Sequence, residues 1–208
     1  MSSIFDLFRK IESKPADPSP VEWLIVGLGN PGAKYEGTRH NAGFLAIDRL
    51  ADSLGARIQA AKYNALCADV RIGGVRALLM KPQTFMNLSG EAVRAAADFY
   101  KLPPERVLVL CDDVNFDPGV MRIRRKGSAG GQKGVNNIIE QLGSDSFPRI
   151  KLGVGRKPHP EMDMADFVLG RLSDADLHTM DSVFQNVISA VTLILDGKID
   201  DAMTKYSK

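Results

Sequence analysis

Several features that would assign a chain of 208 residues to a common functional class are scarce in this sequence. The two cysteines, Cys67 and Cys111, form neither a close metal-binding pair nor a disulfide framework. No run approaches the roughly 18 apolar residues that a membrane-spanning helix requires. Charged residues interrupt the first part of the chain, so we expect no signal peptide. The sequence therefore predicts a cytoplasmic protein with reduced cysteine thiols and without a membrane partner.

Motifs that present a covalent nucleophile are also absent. The chain has no Gly-x-Ser-x-Gly segment, and neither cysteine lies in a recognisable motif. The acidic pair Asp112-Asp113 could bind a metal ion or form a turn at a strand end. Of the three histidines only His40 could add a nitrogen ligand, and carboxylates alone suit loosely held hard cations. We therefore expect no metal site, and chemistry that uses an activated water molecule.

The net charge of +2 hides an uneven distribution of charge along the chain. Between Arg122 and Lys157 nine basic residues face only two acidic ones, so this window carries +7 and the rest of the chain −5. Such asymmetry is typical of proteins with an anionic macromolecular partner. Solvated strand ends and a basic helix face are the alternative interpretation.

Apolar segments with strand and helix periodicity alternate after a proline-rich start. Residues 1–22 are predicted to be a separate leader or linker, and residues 23–208 a single domain. The alternation predicts an α/β fold with three layers, in which helices flank a mixed, mostly parallel central sheet. The predicted strands are 23–27, 65–72, 75–81, 106–111, 120–125 and 149–154. The predicted helices are 41–54, 90–100 with Ser89 as N-cap, 135–142, 175–195 and 199–206.

A glycine-rich segment, Gly27–Gly32, follows the first predicted strand and satisfies the pattern G-x-G-x-x-G. A dinucleotide site would also need a following helix and an acidic residue about 20 residues later. Here Pro31 interrupts the loop, and Asp48 lies within a helical pattern instead of at a strand end. A nucleotide cofactor is therefore the weaker interpretation. The polar residues Asn30 and His40 are the candidate functional residues of this region.

Polar residues follow three of the predicted strands. If Asn30, Asn87 and Asp112 come after parallel strands, they share the edge at which open α/β sheets bind ligands. His40 could act there as a general base because imidazole titrates near neutral pH, and Asp112 could orient its ring. The two asparagines could bind a carbonyl or stabilise an oxyanion, although asparagine also caps turns.

A second glycine-rich segment, Gly127–Gly134, follows the basic strand and opens a predicted helix. Backbone N–H groups at a helix N-terminus attract phosphate, and glycines permit its close approach. A flexible loop is the alternative. Phe85 could form an apolar wall against a substrate side chain, or could be a core residue.

Together these segments resemble bacterial-type peptidyl-tRNA hydrolases over roughly residues 23–206. The matching segments, in the family's order, are Leu24–Gly32, Tyr35, Thr38–Gly43, Lys81–Gly90, Asp112-Asp113 and Gly127–Gly131. The resemblance implies a single-domain, largely monomeric hydrolase that uses no metal or organic cofactor. It implies cleavage of the ester between a peptide and the tRNA 3′ end, which recycles tRNA from aborted translation.

The resemblance also implies roles for individual residues. His40 becomes the base that activates water, and Asp112 assists it. Asn30 and Asn87 bind substrate near the ester, and Tyr35 lines that site. The remaining residues expected to contact substrate or tRNA are Phe85, Arg124, Lys151, Gln132 and Lys133, of which Arg124 and Lys151 match positions that bind the terminal phosphate.

One segment departs from the family pattern. Many members have Gly-Gly-His-Asn-Gly where this chain has Gly-Gly-Gln-Lys-Gly, with Gln132 and Lys133 as the replacements. Gln132 can still donate and accept hydrogen bonds, and Lys133 adds a positive charge. We expect altered contacts to the tRNA end or the peptide, with the chemistry retained. A non-catalytic RNA-binding relative of the same fold is the alternative function.

Overall fold

A seven-stranded mixed sheet lies at the centre of the protein in the computed structural model, which describes residues 19–207. Most of the predicted leader therefore lies outside the described residues. The strands are β1 (Trp23–Gly27), β2 (Ala60–Lys62), β3 (Ala65–Ile72), β4 (Val75–Pro82), β5 (Val107–Asp113), β6 (Met121–Arg124) and β7 (Arg149–Gly153). Their spatial order is β2-β3-β4-β1-β5-β7-β6. The four neighbours β4, β1, β5 and β7 run parallel, whereas β3 and β6 run antiparallel to the strands beside them.

Within residues 19–207 six α-helices surround the sheet. They are α1 (Ala42–Ser53), α2 (Ser89–Tyr100), α3 (Lys133–Leu142), α4 (Met164–Leu169), α5 (Asp174–Leu195) and α6 (Ile199–Tyr206). One apolar core lies between the sheet and α1, α5 and α6, and a second lies between the sheet and α2 and α3. Each fully buried leucine or isoleucine in these cores contributes roughly 1.5–3 kcal/mol. The predicted three-layer α/β fold with a mixed sheet is confirmed.

The central strand β1 sets the position of the functional edge. All five of its residues are buried, as expected for a parallel strand covered on both faces. Val26 pairs with Met80 of β4, and Gly27 pairs with Leu110 of β5. Because these strands are parallel, the loops that follow them leave from the same edge of the sheet, as the sequence predicts.

The first turn of α1 packs directly against this edge. A Cβ atom on Gly43 would lie 2.3 Å from the carbonyl oxygen of Leu110 and 2.5 Å from the backbone nitrogen of Leu28. Only glycine permits so close an approach of helix and strand. The approach brings the short 3₁₀ turn Arg39–Asn41, which precedes α1, to the carboxyl end of β1 and β5.

One local prediction is wrong and two short elements are missing from the sequence predictions, each for a physical reason. Ser89 is the first residue of α2 and not its N-cap, because the 3₁₀ turn Met86–Leu88 runs directly into the helix. Strand β2 has three exposed residues, too few to show an alternating pattern. Helix α4 has six residues, fewer than two turns of periodicity, although Asp163 caps its N-terminus. Within residues 19–207 no helix is both long and apolar enough to cross a membrane.

Candidate active site

A cleft of about 790 Å³ opens at the carboxyl edge of the parallel strands. Its walls come from the loops after β1, β4 and β5, from the glycine-rich segment before α3, and from α4. Eight of the ten predicted site residues line it: Asn30, His40, Phe85, Asn87, Asp112, Gln132, Lys133 and Lys151. The cleft thus collects residues that lie more than 100 positions apart in the chain, from Asn30 to Lys151.

His40 and Asp112 form a buried pair at the base of the cleft. The Nδ1 atom of His40 lies 3.0 Å from Oδ2 and 3.1 Å from Oδ1 of Asp112. Asp112 is the last residue but one of β5 and is 3% exposed, while His40 is 9% exposed on the turn before α1. A carboxylate accepts hydrogen bonds, so neutral His40 carries its proton on Nδ1 and its lone pair on Nε2. Within residues 19–207 Nε2 has no hydrogen-bond partner, so it is available to the cleft.

Asn30 is held by three hydrogen bonds that leave one polar group for the cleft. Its backbone N–H and carbonyl bind the side chain of Asn41, at 2.9 and 3.0 Å. Its side-chain oxygen accepts from the backbone N–H of Met86 at 2.8 Å. Its side-chain NH₂ group has no partner among the described residues, so this donor is free for a ligand in the cleft.

Phe85 and Asn87 flank Met86 at the start of the 3₁₀ turn after β4. Phe85 is 56% exposed, which rules out the alternative of a core residue. Asn87 is exposed on the same rim. Since the N–H of Met86 binds Asn30, the loops after β1 and β4 are joined at the point where both asparagines face the cleft.

Gln132 occupies the position at which α3 begins. Its Oε1 accepts a hydrogen bond from the N–H of Val135 at 2.8 Å, so it is the N-cap of the helix. Its Nε2 donates to Oδ1 of Asp112 at 3.1 Å. Lys133, the first residue of the helix, is exposed and lines the cleft. The two residues that depart from the family pattern therefore have different environments. Gln132 is buried against Asp112, and Lys133 faces solvent.

Lys151 reaches the cleft but already has a partner. Its Nζ lies 2.6 Å from Oδ2 of Asp113, and both side chains are largely buried. Burial by itself would raise the pKa of Asp113, but the ion pair with Lys151 and the hydrogen bonds from Asn115 outweigh burial. The pKa of Asp113 therefore lies below its ordinary value.

Two predicted site residues do not line the cleft. Tyr35 ends the 3₁₀ turn Ala33–Tyr35, where the Lys34 ammonium lies 4.7 Å from its ring centroid. Arg124 ends the edge strand β6 and is exposed. The turn that contains Tyr35 also stands where a dinucleotide fold would need a helix, so the first glycine-rich segment does not form that geometry.

Comparison with known proteins identifies the family. The family model described as peptidyl-tRNA hydrolase matches residues 24–208. The chain belongs to the peptidyl-tRNA hydrolase family. This confirms the resemblance found in the sequence.

Relatives in sequence and in structure agree with this assignment. A peptidyl-tRNA hydrolase of Agathobacter rectalis is 48% identical over 186 residues, which cover 89% of this chain and 100% of the relative. One of Caldanaerobacter subterraneus subsp. tengcongensis is 45% identical over 185 residues, which cover 89% and 99%. The crystal structure of peptidyl-tRNA hydrolase from Acinetobacter baumannii superposes with a TM-score of 0.84 at 33% identity. That superposition covers 92% of this chain and 97% of the other.

Within this family fold a buried arginine, which the sequence analysis does not single out as a site residue, supports the glycine-rich segment. Arg149 is 1% exposed, and its Nη1 donates to the carbonyls of Gly127 and Ser128 at 2.7 and 3.1 Å. Its Nη2 donates to the carbonyl of Asp145 at 2.9 Å, and burial lowers the pKa of the guanidinium. In a sequence, a buried arginine at the start of a strand cannot be distinguished from a solvent-exposed one. The burial of Arg149 therefore could not be predicted. Arg149 therefore holds the start of the segment Gly127–Gly134 in place through its backbone carbonyls.

The cysteines of this hydrolase fold are buried thiols. Burial raises the pKa of Cys111 to about 12 and that of Cys67 to about 11. Neither forms a thiolate near neutral pH, so neither is an activated nucleophile. Among residues 19–207 no three His, Cys, Asp or Glu side chains are grouped so as to hold a metal ion.

Proposed function

We propose that this chain hydrolyses the ester between a peptide and the 3′ end of tRNA, with His40 as the base that activates water. The observation that carries the proposal is the contact between His40 Nδ1 and the Asp112 carboxylate at the base of the cleft. It orients the ring so that Nε2 can accept a proton from a water molecule in the cleft.

The reaction follows from this proton transfer. As the water proton moves to Nε2 of His40, the hydroxide attacks the ester carbonyl carbon and forms a tetrahedral intermediate. The NH₂ group of Asn30, which is not used in the hydrogen bond to Met86, can donate to the developing oxyanion. The His40 imidazolium, stabilised by Asp112, then returns the proton to the leaving 3′ oxygen. The products are a peptide with a free carboxyl group and a tRNA with a free 3′ hydroxyl.

Apolar side chains around the cleft suit the peptide part of the substrate. Phe85 lies on the rim after β4, and Met164, Val168 and Leu169 line the cleft from α4. Phe85, Met164 and Leu169 are each at least 40% exposed, an unusual state for large apolar residues near one cleft. We propose that they contact peptide side chains, while Asn87 binds a carbonyl next to the ester.

The basic residues suit the tRNA part. Lys133 on the rim and Arg124 on β6 are exposed and free to contact phosphate. Lys151 is paired with Asp113, so its contact with a phosphate would share or exchange that partner. Tyr35, outside the cleft lining, would contact a part of the substrate beyond the ester.

The boundaries of the catalytic unit are also proposed. The family match begins at residue 24, and the relative from Agathobacter rectalis aligns over its whole length with 89% of this chain. We propose that residues 23–208 form the catalytic domain, that residues 1–22 are a separate leader, and that the protein acts as a monomer in the cytoplasm. Removal of residues 1–18 should then leave kcat/KM unchanged and the particle monomeric by light scattering.

The test uses N-acetyl-aminoacyl-tRNA as the substrate and free aminoacyl-tRNA for comparison. We expect release of the acetylated residue, weak action on the free amine form, and the same rate with a chelator present. His40→Ala should abolish turnover, while His178→Ala, an exposed histidine on α5, should not affect it. Tight tRNA binding without hydrolysis by the wild type would overturn the proposal and favour a non-catalytic RNA-binding protein.

A further inference from the structure

Gln132 joins the start of α3 to the carboxylate that orients His40. It is 8% exposed, and both ends of its amide are engaged. Oε1 accepts from the N–H of Val135, and Nε2 donates to Oδ1 of Asp112. Nε2 also lies 3.2 Å from the Sδ atom of Met86, a weaker acceptor.

The orientation of this amide is fixed by chemistry. A flipped amide would place Oε1 against the Asp112 carboxylate and NH₂ against the N–H of Val135. Both contacts would then oppose like groups, acceptor to acceptor and donor to donor. Only the observed orientation satisfies both partners, so the helix cap forces the NH₂ group toward Asp112.

The start of α3 has little freedom to move. A Cβ atom on Gly134 would lie 2.6 Å from the Sδ atom of Met86 and 3.0 Å from Cδ1 of Leu28. The first turn of the helix is therefore packed against the loops after β1 and β4. This close packing supports the position of the Gln132 donor beside Asp112.

We propose that Gln132 is a positioning residue for the reaction, which holds the Asp112 carboxylate in the orientation that aligns His40. Asp112 then lies between two donors, His40 Nδ1 on one side and Gln132 Nε2 on the other. The inference rests on the proposed ester hydrolysis by His40. The amide does not ionise, so the second donor is present at every pH at which the enzyme works.

The donor also affects how strongly Asp112 attracts a proton on His40. A hydrogen bond from a neutral amide withdraws negative charge from the carboxylate, which weakens its stabilisation of the imidazolium. Loss of the donor should therefore strengthen the stabilisation of the imidazolium by Asp112. The other titratable or charged groups around Asp112 are Cys111, Asp113 with its partner Lys151, Lys133, and Asp163 across the cleft.

Two variants separate the contact with Asp112 from the helix cap. Gln132→Ser retains a good N-cap residue, but its side chain is too short to reach Asp112. Gln132→Glu retains the cap and the length of the side chain, and it can donate to Asp112 only while it is protonated. Above the pH at which that proton is lost, two carboxylates face each other. Asn136→Ala, at an exposed position of the same helix, is the matched control.

Steady-state kinetics between pH 5 and 9 give the first readout. Gln132→Ser should lower kcat about 10-fold, with KM within twofold and the melting temperature within about 2 °C, because only the orientation of Asp112 is lost. The wild-type kcat should rise with pH to a plateau, because the base must be neutral to accept a proton. Gln132→Glu should instead show a bell-shaped profile that falls at high pH.

NMR of the His40 ring gives a second readout that requires no substrate. The resonance of the His40 Nδ1–H proton, which reports its hydrogen bond to Asp112, should move in Gln132→Ser relative to the wild type, while the ring signals of the exposed His159 and His178 stay unchanged. Wild-type kcat in Gln132→Ser would overturn the inference, as would a loss confined to KM or a loss matched by partial unfolding. If wild-type protein fails to hydrolyse the substrate, the proposed function fails; an unchanged His40 Nδ1–H resonance in Gln132→Ser counts against the positioning role alone.

Discussion

The side chain of Asn41 fixes the backbone of Asn30 with two hydrogen bonds of opposite direction. Its Oδ1 accepts from the N–H of Asn30 at 2.9 Å, and its NH₂ donates to the Asn30 carbonyl at 3.0 Å. Both residues are buried, and the side chain of Asn30 is in turn anchored on Met86. The pair therefore couples the turn that carries His40 to the two loops that form the rim of the cleft.

Replacement of Asn41 by aspartate tests this coupling. Asn41→Asp retains the acceptor for the Asn30 N–H but places an oxygen against the Asn30 carbonyl. We expect a loss of about 1–3 kcal/mol in the free energy of unfolding, the cost of an unsatisfied buried polar pair. The misplaced Asn30 should lower kcat/KM at least about 10-fold, a loss of about 1.4 kcal/mol in transition-state stabilisation. Thermal denaturation and steady-state kinetics measure both, with Asn136→Ala as control; unchanged values would contradict the coupling.

The ion pair between Asp113 and Lys151 predicts a pH-dependent contribution to stability. The pKa of Asp113 lies below its ordinary value in the folded protein. Its contribution is therefore fully present above the unfolded-state pKa, about 4, and is lost as pH falls through the lower folded-state pKa. Asp113→Asn leaves the largely buried Lys151 without its partner, and we expect a loss of about 3 kcal/mol at pH 7.

Thermal melts of wild type and Asp113→Asn between pH 2.5 and 8 test whether the stabilisation by Asp113 is lost as the pH falls. The difference in melting temperature should be widest at neutral pH. It should begin to narrow below about pH 4, where Asp113 of the unfolded chain binds a proton, and should continue to narrow through the lower folded-state pKa. A difference that stays constant over the whole range would mean that the variant acts by packing and not by charge.

The rim residues show how far the sequence can predict such a site. Strands β1, β4 and β5 are nearly continuous apolar runs followed by polar residues, so their pattern predicts both the parallel strands and the shared edge. The gathering of Asn30, His40 and Asp112 follows from that edge. Their distances do not, because side-chain contacts depend on how separate elements pack.

Other features of the cleft have no pattern to predict them. Helix α4 is too short to show helical periodicity, yet it forms one wall. The contact of Gln132 with Asp112 joins residues 20 positions apart and depends on the packing of α3 against the loops after β1 and β4. A glycine-rich segment predicts a loop that could approach phosphate, but not which side chain of that loop turns inward.

The basic window predicts a salt-dependent activity. Arg124 and Lys133 are exposed and belong to the segment that carries a net charge of +7. If each contacts a tRNA phosphate, Arg124→Ala and Lys133→Ala should each reduce the slope of log(kcat/KM) against log salt concentration by about 0.7–0.9. Arg57→Ala, an exposed arginine outside the window, should leave the slope unchanged. If all three variants kept the wild-type slope, Arg124 and Lys133 would not contact phosphate.

Arg39 joins the turn that carries His40 to the wall formed by α4. Its Nη1 donates to the carbonyl of Arg171 at 2.9 Å, and its Nε donates to that of Val154 at 3.2 Å. Its guanidinium lies 4.6 Å from the ring centroid of Phe167, a buried residue of α4. These contacts use the planar, multiply donating shape of arginine, which lysine lacks.

Arg39→Lys should therefore loosen α4 while the contact between His40 and Asp112 stays intact. We expect KM for N-acetyl-aminoacyl-tRNA to rise about 5-fold and kcat to change less than about 2-fold, since substrate binding weakens and the chemical step does not. Backbone amides of residues 164–169 should exchange faster with deuterium. Arg49→Lys, in an exposed ion pair with Asp181, is the matched control and should change neither constant. A fall in kcat at constant KM would show that Arg39 acts on His40 and not on the wall.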